Sequence, residues 1–347
     1  LSDLEQLLAA LAPNAQLLTK LGHGIEKESL RVKPDGQLAD SPHPVALGSA
    51  LRHPHITTDF CEAQPELITG VHESASKCIE ELDDIHRYLH ANVGEELLWA
   101  SSMPCMLGDD KDIPVGRYGS SNIARAKTVY RLGLGNRYGR LMQTISGIHY
   151  NFSLPSEFWP ALAEARKEPF TKDFATRCYL DLIRNFRRDS WLLIYLFGAS
   201  PALCKTFVKG KDHNLEEFGD GTLYRPHGTS LRMGRLGYTS DAQTSLHVSY
   251  NTLDDYAKTI RRGLSTDYPA YEQYSGKVDG EYQQLNAALL QIENEFYGTI
   301  RPKRTINKGE RPLSALLERG VEYVEVRCLD VTQLSITTQH PGQPRRI

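Results

Sequence analysis

The side chains best suited to chemistry in this chain are acids on strand-like segments, with one imidazole among them. In Gly24-Ile25-Glu26-Lys27-Glu28-Ser29-Leu30, Glu26 and Glu28 are two residues apart and share a face of an extended backbone. Like charges side by side on a strand repel each other. A divalent cation would remove that cost, and a solvated edge strand would also tolerate it. In Val321-Glu322-Tyr323-Val324-Glu325-Val326-Arg327, Glu325 and Arg327 share one face and Val324 and Val326 the other. On a surface such an ion pair is worth little. The flanking valines favour burial, where each charge needs a partner. Asp59 ends a strand-like run, and Glu66 follows across Pro65 in a stretch without amphipathic period, where acids are commonly exposed loop charges.

His149 lies on the polar face of a strictly alternating run. Ile148, Tyr150, Phe152 and Leu154 point one way; His149, Asn151 and Ser153 point the other; Pro155 ends the strand. A lone strand histidine is usually structural. Beside several carboxylates it is also able to take a cation. An oxygen-rich donor set favours Mg²⁺ or Mn²⁺ over Zn²⁺, and such ions typically bridge nucleotide phosphates. The basic run Arg301-Pro302-Lys303-Arg304 follows Glu293-Asn294-Glu295 and reads either as a phosphate contact or as a solvated loop.

Other chemistries find no support. Gly133-Leu134-Gly135-Asn136-Arg137-Tyr138-Gly139 has one residue too many for a dinucleotide loop, and the chain has no P-loop, G-x-S-x-G or H-E-x-x-H motif. With 40 basic and 43 acidic residues the formal net charge is −3, which argues against bulk electrostatic binding of nucleic acid. The longest apolar run, Trp191 to Phe197, is too short to cross a bilayer. No secretory signal opens the sequence. The six dilute cysteines form no C-x-x-C pair, which fits reduced thiols and a cytoplasmic protein.

The elements that must position these side chains are mixed. Leucines 4, 7, 8 and 11 have helical spacing, stopped by Pro13. Strands are expected over 24–32 and 55–60, and a helix within 74–99. Residues 117–140, polar and Gly-rich, read as short helix and loop. The alternating strand follows, then a long helix over 174–197, a loop over 210–221 and a helix over 254–262. Asp279-Gly280 marks a turn. A helix is expected over 282–290, extended chain over 291–300, a short helix over 314–318 closed by Gly320, and a strand over 321–330. This order suits an α+β fold with an antiparallel sheet.

Taken together, these segments resemble the proteobacterial type of glutamate–cysteine ligase. The matching stretches include residues 24–32, 56–60, 136–139, 142–155, 195–201, 236–239, 291–295, 300–304 and 324–327. Each is modest alone; in this order they are specific. The resemblance implies a glutamine-synthetase-like fold, with an antiparallel sheet forming a cupped active site and helices around it. It implies ATP- and Mg²⁺-dependent joining of the L-glutamate γ-carboxylate to the amine of L-cysteine through γ-glutamyl phosphate, the first step of glutathione synthesis. A ligase for another amine, or an inactive or nucleotide-binding remnant, is the alternative. By the same resemblance Glu26, Glu28, Asp59, Glu66, His149 and Glu325 would hold the metal ions. Arg327, with Glu325, would act at the phosphoryl group. Phe60, Tyr130, Gln143, Tyr238 and Tyr297 would form the cysteine pocket, and Arg232 would meet a substrate carboxylate. The protein would act as a monomer on small molecules, without nucleic acid or membrane. The familiar pattern covers residues 1–330, an incomplete catalytic domain since family members are longer. Residues 331–347 read as an unrelated tail of loop composition.

Overall fold

The computed structural model describes residues 3–104, 106–237 and 241–332. Its centre is a six-stranded sheet in which all neighbouring strands pair antiparallel. The strands are β1 (Gly22–Glu28), β2 (Ile56–Thr58), β3 (Pro65–Ile68), β4 (Gly147–Ser153), β5 (Ile300–Lys303) and β6 (Tyr323–Asp330), in the spatial order β5-β6-β4-β1-β3-β2. The alternating run is thus near the middle of the sheet, between β6 and β1. Short two- and three-stranded ribbons decorate the periphery.

Seven helices bear on the argument: α1 (Asp3–Leu11), α2 (Ala75–His90), α3 (Asn122–Tyr138), α4 (Phe158–Ala165), α5 (Phe174–Phe197), α6 (Leu253–Ser265) and α7 (Pro312–Arg319). The apolar alternates of the sheet explain where they go. Tyr150, Phe152, Val324, Val326 and Ile300 pack with Tyr179 and Ile183 of α5, Ile260 of α6 and Leu316 of α7. Ile25, Ile56 and Leu67 pack with Leu82, Ile85 and Leu89 of α2. One face of the sheet is therefore covered, and the polar alternates are left for the opposite, concave face.

Several expectations are corrected. Most of the stretch 117–140 is one long helix, α3 (Asn122–Tyr138), capped by Ser121 Oγ on the Ala124 N–H. Its glycines are close-approach positions rather than breakers: a Cβ on Gly133 would stand 2.2 Å from Gln291 Oε1. Residues 282–290 are not helical. Their carbonyls are taken by α3 instead, Asn136 donating to Gln283 O and Arg137 to the carbonyls of Asn286 and Ala288. Tertiary bonds there outcompete the local helical preference. Glu293–Glu295 makes a 3₁₀ turn within the expected extended run. Glu66 lies on a strand, β3, and not in a loop. Part of the expected loop at 210–221 is a short strand, Glu216–Phe218. Val331, the first residue of the expected tail, is buried and donates its N–H to Ser102 Oγ. Residues 333–347, Tyr238 and Cys105 lie outside the described residues. Among the described residues no helix is long and apolar enough to cross a membrane, and five cysteines are free thiols.

Candidate active site

Strand register brings the acids together. Glu26 pairs with His149 across β1 and β4, and Glu28 pairs with Glu66 across β1 and β3. Glu325 on β6 stands opposite Asn151 on one side and Arg301 on the other. All of these positions are on the concave face. The β4–β6 register slips between Val326 and Leu329, so one extra residue of β6 is accommodated opposite His149. A bulge of this kind bends the strand and re-aims a side chain. Here it lies at Arg327, whose Nη1 comes 3.2 Å from Glu325 Oε1 and 3.4 Å from His149 Nδ1.

The imidazole is the hub. His149 Nδ1 is 3.3 Å from Glu26 Oε2 and 4.0 Å from Glu325 Oε1, and Nε2 is 3.7 Å from Glu28 Oε1. Two groups of donors result, Glu26–His149–Glu325 and Glu28–Glu66–His149, each with its ligand atoms within 4.8 Å of one another. Asn151 Nδ2 donates to Glu26 Oε1 at 2.9 Å, and the Gly147 N–H donates to Glu28 Oε2 at 2.8 Å. Glu28 Oε1 and His149 Nε2, both buried, face each other without a hydrogen-bond partner. Unpaired buried acceptors are costly. A divalent cation between them would satisfy both, so the donor set fits a metal ion.

Electrostatics point the same way. Burial, and then the Asp59 charge, push the Glu28 carboxyl up to about 8. Burial and the charges of Asp59, Glu26 and Glu28 raise Glu66 well above the carboxylate range. Burial and the neighbouring Arg327 lower His149, so its ring is neutral with a lone pair to give. Burial opposes the charge of Glu325, but Arg327, Lys303 and Arg301 overcome it and hold the group well below its usual value. Glu26 is likewise lowered: burial and the Glu325 charge push it up, but His149 and Lys303 together outweigh them.

These residues open into a cavity of 510 Å³ lined by Glu26, Asp59, Glu66, His149, Glu325 and Arg327. Tyr130 lines it too. Phe60 is buried in the adjoining core, and Gln143 donates to the Tyr297 hydroxyl at 3.0 Å, beside that wall. Arg232 does not line the cavity. It is fully buried behind Glu28, donating to Arg327 O at 2.9 Å, with Asp330 at 3.9 Å. Tyr238 is outside the described residues.

Cationic wall residues escaped the sequence reading. Lys127 and Arg131 of α3 and Asn294 line the cavity, and Arg131 also bonds the Asp59 carbonyl. Their i,i+4 spacing on one helix face was the available signal. The basic run is not a loop: Arg301 and Lys303 are alternate residues of β5, 3.9 and 3.5 Å from Glu325, with Pro302 on the covered face. A carboxylate floor inside a rim of five cations suits a polyphosphate held with divalent ions. A second cavity of 300 Å³ adjoins it through Asn294, Arg301 and Lys303 and is walled by Ile260, Ile306, Leu313 and Tyr323.

Known proteins resemble this chain in sequence and in fold. A family model described as glutamate-cysteine ligase matches residues 7–342. The glutamate–cysteine ligase of Alcanivorax borkumensis is 56% identical over 340 residues, 95% of this chain and 65% of that protein. That of Pseudomonas entomophila is 53% identical, over 95% of this chain and 63% of that protein. The crystal structure of a Francisella tularensis glutamate–cysteine ligase in complex with AMP superposes with a TM-score of 0.84 at 42% identity, covering 90% of this chain and 61% of that one. A bifunctional glutathione synthetase from Pasteurella multocida gives a TM-score of 0.75 at 28% identity, covering 96% and 39%. The chain thus spans somewhat under two thirds of the length of the curated relatives it matches.

Proposed function

Because this chain belongs to the glutamate–cysteine ligase family, we propose that it carries the site for ATP-dependent joining of the glutamate γ-carboxylate to the cysteine amine. The observation that carries the reading is the pair of donor groups sharing His149, set inside a cationic rim. Glu28, Glu66 and the lone pair of His149 Nε2 would hold one Mg²⁺ or Mn²⁺, and Glu26 and Glu325 another, with Asp59 adding charge. Bound there, the ions would neutralise phosphate oxygens and align the transfer.

The chain's own residues supply the rest. Arg327, held by Glu325, is a fixed guanidinium at the mouth of the acid cluster, suited to charge on a phosphoryl group in motion. Lys303, Arg301, Lys127 and Arg131 would grip the remaining phosphate oxygens. The adjoining cavity, with Tyr323 and Ile306 in its walls, suits the base and ribose of the nucleotide. A glutamate γ-oxygen would take the γ-phosphoryl group as ADP leaves. The cysteine amine would then attack the acyl carbon of γ-glutamyl phosphate and release phosphate. Phe60, Tyr130, Gln143, Tyr238 and Tyr297 are the proposed cysteine pocket. Arg232 would meet a substrate carboxylate only if Arg232 or Gly147 shifts, because the backbone at Gly147 packs directly on its guanidinium, where even a β-carbon would stand 2.1 Å from Nη2. The working unit would be a cytoplasmic monomer.

Phosphate release by the purified chain, measured with ATP, Mg²⁺ and glutamate and with or without cysteine, tests this reading. Cysteine-dependent release supports it. Folded protein that binds Mg²⁺-ATP but never hydrolyses it with glutamate would instead be a nucleotide-binding remnant. Equal rates with cysteine and with unrelated amines would move the acceptor assignment elsewhere.

A further inference from the structure

Asp59 lines the acid cavity and belongs to neither of the donor groups that share His149. Its charge is felt by Glu28 and Glu66. What holds it there is a question about its backbone, because Asp59 follows directly on β2, the edge strand of the sheet. Thr58 stands opposite Pro65, which has no N–H to give. Asp59 donates its own N–H to Gln64 O, but the Gln64 N–H turns to Cys61 O instead of returning the bond. The sheet therefore offers no donor to Thr58 O or Asp59 O, and carbonyls in such a place need one.

Both carbonyls are met from outside the sheet. The loop before α3 zips onto the turn after β2, Glu62 donating its N–H to Pro114 O and Gly116 donating to Phe60 O. This carries Tyr118 across the strand edge. Its hydroxyl donates to Thr58 O at 2.8 Å, lies 3.2 Å from Asp59 O and accepts from Thr58 Oγ1 at 2.9 Å. The approach is close enough that a Cβ on Gly116 would stand 2.9 Å from that hydroxyl. Arg131 of α3 donates Nε to Asp59 O and Nη2 to Thr58 O. The two supports brace each other, the guanidinium lying over the Tyr118 ring 4.6 Å from its centroid. Tyr118 is buried and is no part of the cavity wall, so its influence on the site must pass through Asp59.

We propose that Tyr118 is a positioning residue for the cation site: with Arg131 it fixes the Thr58–Asp59 backbone and so aims the Asp59 carboxylate at an ion held by Glu28 and Glu66. The inference rests on the metal reading given above, and its test needs no turnover. Mn²⁺ is titrated into the full chain and the unbound ion is read from its electron paramagnetic resonance signal. Tyr118→Phe keeps the ring over Arg131 and removes only the hydroxyl. It should weaken Mn²⁺ binding by about tenfold, as loss of an outer partner of a ligand does, with circular dichroism unchanged. Asp59→Asn should weaken binding at least as much. In the Asp59→Asn background, Tyr118→Phe should change affinity by no more than about twofold, because the carboxylate it aims is gone. If Tyr118→Phe does not fold, Thr58→Val, which removes the hydroxyl that donates to Tyr118, is read in the same cycle. Wild-type affinity in the folded Tyr118 variant would overturn the proposal. So would an equal loss in both backgrounds, which marks general loosening, or unchanged affinity in Asp59→Asn. A folded wild-type chain that takes up no Mn²⁺ sinks the metal reading and this proposal with it, a result told apart from the others before any variant is made.

Discussion

Replacing Glu28 by Gln should stabilise the metal-free protein and weaken the metal-bound one. In the metal-free fold the Glu28 carboxyl is raised to about 8, because it is wholly buried and Asp59 is near. The unfolded chain titrates it near 4.5. A group raised in this way favours the folded state fully below the unfolded value, and that advantage is lost as pH rises towards 8. The difference of about 3.5 pH units corresponds to about 5 kcal/mol lost in total, about 3 of it by pH 7. Glutamine keeps the shape and can still accept the Gly147 N–H, but it carries no charge to bury. In a chain of 347 residues, about 3–5 kcal/mol corresponds to about 4–7 °C in Tm. Chelator-treated wild type and Glu28→Gln should therefore have similar Tm at pH 5, and the variant should lead by about that margin at pH 8. Glu66 adds slope of the same sign to both proteins, so the difference between them is the quantity to read. Addition of Mg²⁺ or Mn²⁺ should reverse the order at pH 8, because only the carboxylate compensates the cation. Parallel Tm curves from pH 5 to 8.5 without metal would refute the claim that a buried, uncompensated charge sits at Glu28.

Other expectations follow from the same geometry. Lys27, between the two glutamates but facing α2, is buried with Ser29 Oγ as acceptor, and burial lowers it to about 8. Its charge costs stability fully below pH 8, and the cost fades as pH rises towards 10.5. Lys27→Met should gain up to about 3 kcal/mol at pH 7 in urea unfolding, and little at pH 10. Glu325→Gln should cut turnover by about a hundredfold or more while circular dichroism is preserved, and near-normal turnover would remove Glu325 from the metal set. Gly147→Ala puts its new carbon 2.1 Å from Arg232 Nη2. It should cost about 1–3 kcal/mol by overpacking, read as a lower urea midpoint, and should disturb the Glu28 carboxylate that Gly147 holds.

Much of the site was legible because strand periodicity is a local property. Alternation around His149 separated a packed face from a polar one, and two-residue spacing put Glu26 with Glu28 and Glu325 with Arg327 before any coordinates. Long amphipathic helices were legible for the same reason, and α5 runs over the expected 174–197. Glu66 was not, since a four-residue strand beginning with proline has too few alternations to declare itself. The Gly-rich stretch hid α3 because glycine reads as a breaker in sequence, whereas here it admits the Gln291 side chain. Residues 282–290 misled in the opposite direction, their helical preference yielding to the demands of Arg137 and Asn136.

The order of residue types along the chain was enough to give the mixture of helices and strands, the polar face of the central strand and the shared faces of Glu26 with Glu28 and of Glu325 with Arg327, because each depends on neighbours two to four positions away. Convergence was decided by tertiary structure. Pairing Glu26 with His149 spans 123 residues and Arg327 with His149 spans 178; no local preference sets such a register. The bulge that turns Arg327 inward, the burial that lifts Glu28, and the cations of α3 and β5 exist only once distant strands and helices are packed, since desolvation and Coulomb energy depend on what surrounds a charge and not on what precedes it in the chain.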